Sequence, residues 1–214
     1  THSFENFVKA SPDSLFRHDG LVEKYKDKLP QYPQKIYDYH RLDRTVVVNH
    51  KLGNIKEWNT QLSEINKVVG PKAEANVIVV ITEGVDADYF HALQQHWISG
   101  KKNDIILVMG VNPDKTLNWV EVMAWSNDKM FEVVLADNIR AVGKLDVNQI
   151  MTHLQQDTLK YFKRKPMSDY EYLKSAVTPT TTQWIVMMLI GLIVAVGLSY
   201  FMYTNDIEEY HRRY

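Results

Sequence analysis

The chain has 214 residues, of which 24% are charged and 45% are hydrophobic, and its formal net charge at pH 7 is −1. A charge this close to neutral predicts no partnership with nucleic acid. The absence of cysteine excludes disulfides, thiolate metal sites and thiol catalysis. The composition fits one soluble domain, large enough to bury its own core, joined to a membrane anchor.

Residues 1–44 are the least regular part of the chain. They carry several aromatic side chains that lack a clear core periodicity, namely Phe4, Phe7, Phe16, Tyr25, Tyr32, Tyr37 and Tyr39. Leaving many large aromatic groups in water would be costly and would favour association. We therefore predict an extended aromatic arm, which packs either on its own domain or on a neighbouring subunit.

From Thr45 the pattern predicts an α/β domain over residues 45–165. The predicted strands cover 45–48, 76–82, 105–111 and 117–123, and the predicted helices cover 55–69, 89–97, 132–142 and 147–162. Strands that are apolar throughout, such as 76–82, belong in a sheet covered by helices on both faces. Right-handed crossovers make the first three strands parallel, and the short turn at 112–115 makes the last pair antiparallel. The fold class is therefore α/β, a mixed-sheet α/β sandwich followed by one C-terminal transmembrane helix.

Four segments of this domain carry a resemblance to a known family. They are NVIVVIT at 76–82, His96-Trp97-Ile98-Ser99-Gly100, Lys102-Asn103-Asp104 leading into IILVMGV, and DKTLNWVEV at 114–122. In this order they resemble the TPM-domain family, found in thylakoid-lumen proteins of photosystem repair and in bacterial membrane-anchored proteins. The resemblance implies a domain followed by a membrane span, and it makes Asp104 the position that matches the family's acidic turn.

The chain departs from the family at Ala124-Trp125-Ser126-Asn127-Asp128. Family members usually have a glycine-rich turn there, and glycine lets a backbone approach a ligand closely. Some family members have been associated with phosphatase activity. Because the glycines are missing, we expect this chain to be non-catalytic, with a membrane-tethered phosphatase or metal-dependent hydrolase as the alternative.

Few other residues suggest chemistry. Asp86, Asp88 and His91 follow a predicted buried strand, at the edge where open α/β sheets place ligands, and could hold a divalent cation. The alternative is that Asp86 caps a helix and that the others lie on the surface; likewise, Asp104 could simply form a turn. No G-x-S-x-G elbow, Walker loop or H-E-x-x-H motif occurs, so we expect no catalytic residue and no cofactor beyond that cation.

Residues 184–203 form an uncharged run of 20 residues, WIVMMLIGLIVAVGLSYFMY. About 20 apolar residues span the hydrocarbon core of a bilayer. Trp184 at one end, with Tyr200 and Tyr203 at the other, would sit at the two membrane interfaces. We therefore predict a linker over 166–183, a transmembrane helix over 184–203 and a polar tail over 204–214.

A basic cluster made of Lys160, Lys163, Arg164 and Lys165 precedes the predicted linker. These side chains either cap a helix C-terminus in water or bind anionic lipid headgroups. Basic residues flank the span on both sides, so the positive-inside rule leaves its orientation open. The sequence begins Thr1-His2-Ser3 and shows no signal or transit pattern. Because it also lacks an initiator Met, we expect that a presequence or a single Met has been removed.

The anchor, the arm and the altered turn together suggest an interaction protein. We expect a single-pass accessory or assembly subunit of a larger membrane complex, whose partners are membrane lipids and the other subunits. An energy-transducing membrane is favoured, either an organellar inner membrane (mitochondrial or thylakoid) or, as the alternative, a bacterial inner membrane.

Overall fold

The structure is a computed structural model, and it describes residues 20–33, 43–173 and 179–204. The chain divides into two compact units, Thr1–Pro166 and Met167–Tyr214. In the first unit the described strands are β1 Thr45–Val48, β2 Asn76–Glu83, β3 Asp104–Val111 and β4 Leu117–Ala124. The α-helices are α1 Leu21–Lys24, α2 Ile55–Ala73, α3 Asp88–His96, α4 Met130–Val142 and α5 Val147–Tyr161, and a 3₁₀ helix covers Lys26–Lys28.

The four described strands form one mixed sheet in the order β1-β2-β3-β4. β1, β2 and β3 are parallel, with Val46 opposite Val80 and Val79 opposite Leu107. β4 runs antiparallel to β3 because a short turn joins the two strands. The predicted mixed-sheet α/β sandwich is confirmed.

Alternate residues of the strands face two separate hydrophobic clusters. Val77, Val79 and Ile81 of β2 pack into a cluster with α2, α4 and α5. Ile78 and Val80 point the other way, into a cluster formed with α3 and residues of the arm. Successive side chains of a strand point to opposite faces, so a strand covered on both faces is apolar throughout.

Each of the four predicted helices in this domain differs from the observed one at one or both ends. α2 continues through Pro71 and ends at Ala73, after which Glu74 adopts a left-handed conformation with φ of 51°. Proline lacks an amide hydrogen, so it usually ends a helix, but here it falls within the last turn. Asp86 was predicted as a possible cap of α3, but the N-cap position is Ala87. The Oδ1 atom of Asp86 nevertheless accepts a hydrogen bond from the backbone N–H of Asp88, the first residue of the helix, at 3.1 Å.

The described part of the predicted arm packs on the domain itself. Tyr25 is buried, and its ring meets that of Tyr89 edge-on at 5.5 Å between centroids. The ring of Tyr32 meets that of Trp97 in the same way at 5.4 Å. The domain therefore includes residues ahead of Thr45. The other aromatic positions of the arm, Phe4, Phe7, Phe16, Tyr37 and Tyr39, lie outside the described residues.

The second unit contains a 3₁₀ helix at Met167–Leu173 and the helix α6 at Thr181–Thr204. α6 has 24 residues, a mean hydropathy of 2.5 over its most apolar window, and no residue of that window buried. It is long and apolar enough to cross a membrane. The predicted span at 184–203 lies within it, while the predicted tail at 204–214 is outside the described residues beyond Thr204.

Candidate functional site

An open cleft of about 600 Å³ lies where β2 and β3 end, at the carboxyl edge of the parallel strands. This is the edge at which open α/β sheets place ligands. Its charged lining consists of Lys24 and Lys28 from the arm with Glu83 and Asp86 from the end of β2 and the loop after it. The cations and carboxylates therefore balance. None of the described lining residues is a serine, threonine, cysteine or histidine.

The carboxylates of Asp86 and Asp88 both lie near the ammonium group of Lys24. Lys24 Nζ lies 3.2 Å from Asp86 Oδ2 and 3.8 Å from Asp88 Oδ2. The Tyr25 hydroxyl also donates a hydrogen bond to Asp86 Oδ1. The hydrogen bond from Tyr25, together with Lys24, holds the pKa of Asp86 below its usual value. The ammonium group thus supplies the positive charge that a divalent cation would bring.

His91 completed the predicted metal set. Its ring contacts that of Phe90 at 5.4 Å between centroids. Within 20–33, 43–173 and 179–204, no three histidine, aspartate or glutamate side chains form a group that could hold a metal ion. The structure therefore brings Asp86 and Asp88 together but does not add His91 to them.

Asp104 is buried at the opposite edge of the sheet, where β3 begins, and is only 1% exposed. Its Oδ2 accepts hydrogen bonds from the Tyr32 hydroxyl at 2.6 Å and from the Lys101 amide at 2.8 Å. Its Oδ1 accepts one from Asn76 Nδ2 at 2.8 Å. Burial raises the pKa of Asp104, and these three hydrogen bonds oppose the rise. This carboxyl group ties the arm, β2 and the loop before β3 together.

The backbone around that carboxyl group is unusual. Ile98, Ser99 and Gly100 all have positive φ, of 53°, 54° and 72°. A Cβ atom on Gly100 would lie 2.7 Å from Ile106 Cδ1 and 3.0 Å from Asp104 Oδ2. Glycine is therefore required where the loop passes over Asp104.

Residues of the glycine-poor turn at 124–128 form hydrogen bonds with other parts of the domain. The Trp125 indole donates to the Ser99 carbonyl at 3.2 Å. The Ala124 amide donates to Glu132 Oε1 at 2.6 Å, and burial raises the pKa of that carboxyl group. Trp125 and Glu132 thus fix the turn to the rest of the domain.

A histidine and a carboxylate that the sequence analysis missed meet at the carboxyl edge. His50 follows β1 and Glu83 ends β2, and His50 Nδ1 lies 2.6 Å from Glu83 Oε2. The His50 side chain is 5% exposed, and Nε2 is buried. Glu83 lines the cleft and His50 does not. The contact with His50 therefore holds the Glu83 carboxylate in place at the border of the cleft. Only the parallel register of β1 with β2 brings these two residues together, and no local motif indicates it.

The basic cluster before the linker is partly paired within the domain. Arg164 forms an ion pair with Glu74, and Lys163 Nζ lies 3.7 Å from Asp128 Oδ2. Lys160 Nζ lies 4.7 Å from the centroid of the Tyr161 ring. Lys165 lies near enough to Glu132 to influence its pKa.

In α6, Trp184 is 54% exposed near one end, and Tyr200 and Tyr203 are exposed near the other, in the order expected for two membrane interfaces.

Comparison with known proteins adds little to this geometry. No protein-family model matches the sequence, and no curated protein matches it. Among solved structures, the chain is similar to the N-terminal domain of a P. gingivalis protein determined by solution NMR, with 12% sequence identity and a TM-score of 0.39. The match covers 58% of this chain and 88% of that domain.

Proposed function

We propose that the chain is a single-pass, membrane-anchored accessory or assembly subunit of a larger membrane protein complex. A TPM-like domain without catalytic activity supplies the binding surface, and α6 holds that domain at the membrane. The order of the segments at 76–82, 96–100, 102–111 and 114–122 supports the family assignment.

One observation carries the non-catalytic part of the proposal: two of the carboxylates that the sequence singled out already accept hydrogen bonds from the protein. Asp104 is buried and accepts hydrogen bonds from Tyr32, Asn76 and the Lys101 amide. Asp86 accepts hydrogen bonds from Tyr25 and Lys24. A carboxylate that binds a catalytic metal must offer its oxygens to the ion, whereas these oxygens stabilise the fold.

The apolar surface of α6 supports anchoring. All the side chains of this helix are exposed, and an uncharged apolar helix of this length matches the hydrocarbon core of a bilayer. One span cannot form a channel or carrier alone, so the proposed role lies in the contacts that the domain makes with partners. The resemblance to thylakoid-lumen and bacterial proteins supports an energy-transducing membrane, organellar or bacterial.

An assay of phosphomonoester hydrolysis tests the non-catalytic assignment. The full chain, purified in mild detergent, is incubated with p-nitrophenyl phosphate and Mg²⁺, Mn²⁺ or Zn²⁺, with EDTA as the blank. We expect no turnover above the blank. Metal-dependent turnover that Asp104→Asn or Asp88→Asn abolishes, and that Asp114→Asn in the exposed turn before β4 leaves intact, would establish a membrane-tethered hydrolase instead.

A further inference from the structure

The first turn of α4 exposes an apolar patch. Met130 is 59% exposed and Val133 is 51% exposed, more than any other large apolar side chain described in the first unit. Phe131 and Leu135 on the other side of the helix are fully buried. Residues three apart on a helix are surface neighbours, so Met130 and Val133 form one patch that the domain's core does not use.

Lysines lie beside the start of α4, next to this patch. Lys129 precedes Met130 directly, and Lys163 Nζ lies 3.7 Å from Asp128 Oδ2 at the start of the helix. Lys129 and Lys165 both act on the carboxyl group of Glu132, which itself turns inward to the Ala124 amide.

The chain leaves the first unit at the same place. Ser126 and Arg164 form an isolated antiparallel bridge, and the Asn127 amide donates to the Lys163 carbonyl at 2.8 Å. The Lys163 amide donates in turn to Ser126 Oγ at 3.1 Å. These bonds fix the exit segment beside the start of α4, and Pro166 ends the unit immediately afterwards.

Residues 167–180 separate Pro166 from α6. A chain reaches at most about 3.6 Å per residue, so these residues tether the exit point to α6 over at most about 50 Å. Tethering raises the effective concentration of a surface near its ligand, so contacts that are weak individually suffice.

We propose that Met130, Val133 and the lysines beside them form a surface that lies on the anionic phospholipid headgroups of the anchoring membrane. Proteins that lie on a membrane surface combine two kinds of side chain. Apolar side chains enter the headgroup region, and neighbouring lysines bind the lipid phosphates. This inference rests on the anchoring that the proposed function includes. It adds an orientation, since α4 and the exit segment face the bilayer while the turn between α4 and α5 faces water.

Site-directed spin labelling tests the orientation. The chain has no cysteine, so Met130→Cys gives a single labelling position in the full chain. In nanodiscs of phosphatidylcholine with phosphatidylglycerol, the label should collide several-fold less with a water-soluble nickel chelate than a label at Lys144→Cys. The control lies just beyond the other end of α4, about 20 Å away by the helical rise.

The lysines provide a second test. Shielding at position 130 should fall when the discs contain phosphatidylcholine alone. Replacing Lys129, Lys163 and Lys165 by Gln on the Met130→Cys background should remove this dependence on lipid charge. The same change at the exposed lysines Lys51, Lys56 and Lys72 should preserve it.

Two results would overturn the orientation while leaving the anchor intact. One is equal chelate access at positions 130 and 144 in anionic discs. The other is shielding at position 130 that depends on the number of chains per disc, which would make a second copy the occupant. A label at Val194→Cys reports on the anchor itself: if that label were open to the chelate, membrane anchoring would fail and both proposals with it.

Discussion

The Tyr32 hydroxyl donates a 2.6 Å hydrogen bond to Asp104 Oδ2, which ties the N-terminal arm to the start of β3. The Tyr32 ring also packs against Trp97, and Lys101 Nζ lies 5.0 Å from the centroid of the same ring. Residues separated by 72 positions thus share one buried contact. The arm around Tyr32 is part of the fold, and the hydrogen bond to Asp104 fixes its position.

Tyr32→Phe should destabilise the domain by about 1–3 kcal/mol, the range for a buried acceptor that loses its hydrogen-bond donor. The ring packing survives, but the buried carboxyl group loses one of its donors. Urea unfolding of the full chain in mild detergent measures the change. Tyr161→Phe, at a half-buried tyrosine, is the control and should stay within about 0.5 kcal/mol of wild type. Equal stability of the two variants would show that the bond to Asp104 contributes nothing.

Asp104→Asn should change how stability depends on pH. Burial raises the pKa of Asp104, so the folded state holds its proton at pH values where the unfolded state, with a pKa of about 3.9, has lost it. Stability from this group is therefore fully present below pH 4 and is lost as pH rises through the folded pKa. The stability difference between wild type and Asp104→Asn should shift against wild type over that window. A difference that moves in favour of wild type as pH rises would show that the hydrogen bonds outweigh burial.

Gly110→Ala should destabilise the domain by about 1–3 kcal/mol, as overpacking usually does. A Cβ atom at this position in β3 would lie 2.1 Å from Trp119 Nε1, so the indole must move and lose its 3.0 Å hydrogen bond to the Val85 carbonyl. Thermal unfolding and tryptophan emission measure both effects. Gly53→Ala, where a Cβ meets nothing within 4 Å, is the control. Unchanged emission in Gly110→Ala would mean that Trp119 does not occupy the space over β3.

Val194→Arg should weaken membrane insertion, because an arginine near the middle of a span costs about 2.5–3.5 kcal/mol on insertion scales. Val194 lies near the centre of α6 and is exposed. Resistance to alkaline extraction from membranes reports the loss, and Val194→Leu is the matched control. Full retention of the arginine variant after extraction would mean that something other than α6 holds the chain.

Much of the fold could be predicted from the sequence because its periodicities are local. Three patterns indicate the surroundings of each side chain directly from the sequence. They are the alternation in β4, the unbroken apolar runs of β2 and β3, and the uncharged run of α6. The short turn at Asn112–Lys115 sufficed to predict an antiparallel last pair. The end of α2 was predicted too early because Pro71 is tolerated in its last turn.

The site contacts could not be predicted because their partners are far apart in sequence. Lys24 reaches Asp86 across 62 positions, and Glu83 meets His50 across 33. Lys24 lies in the irregular arm, where no pattern indicates which helix it will contact. Asp104 was singled out through the family resemblance, but its hydrogen bonds to Tyr32 and Asn76 follow only from the packed arrangement of arm and sheet.

Whether the chain belongs to a larger membrane complex is measured by the mass and composition of the native particle. Membranes containing the tagged full chain are solubilised in mild detergent, and the tagged particle is purified and weighed by light scattering with its other components identified by mass spectrometry. We expect a particle much heavier than one chain with its micelle, containing other membrane subunits in fixed ratio. A particle that contains only this chain and detergent would show that the chain is not a subunit of a larger complex.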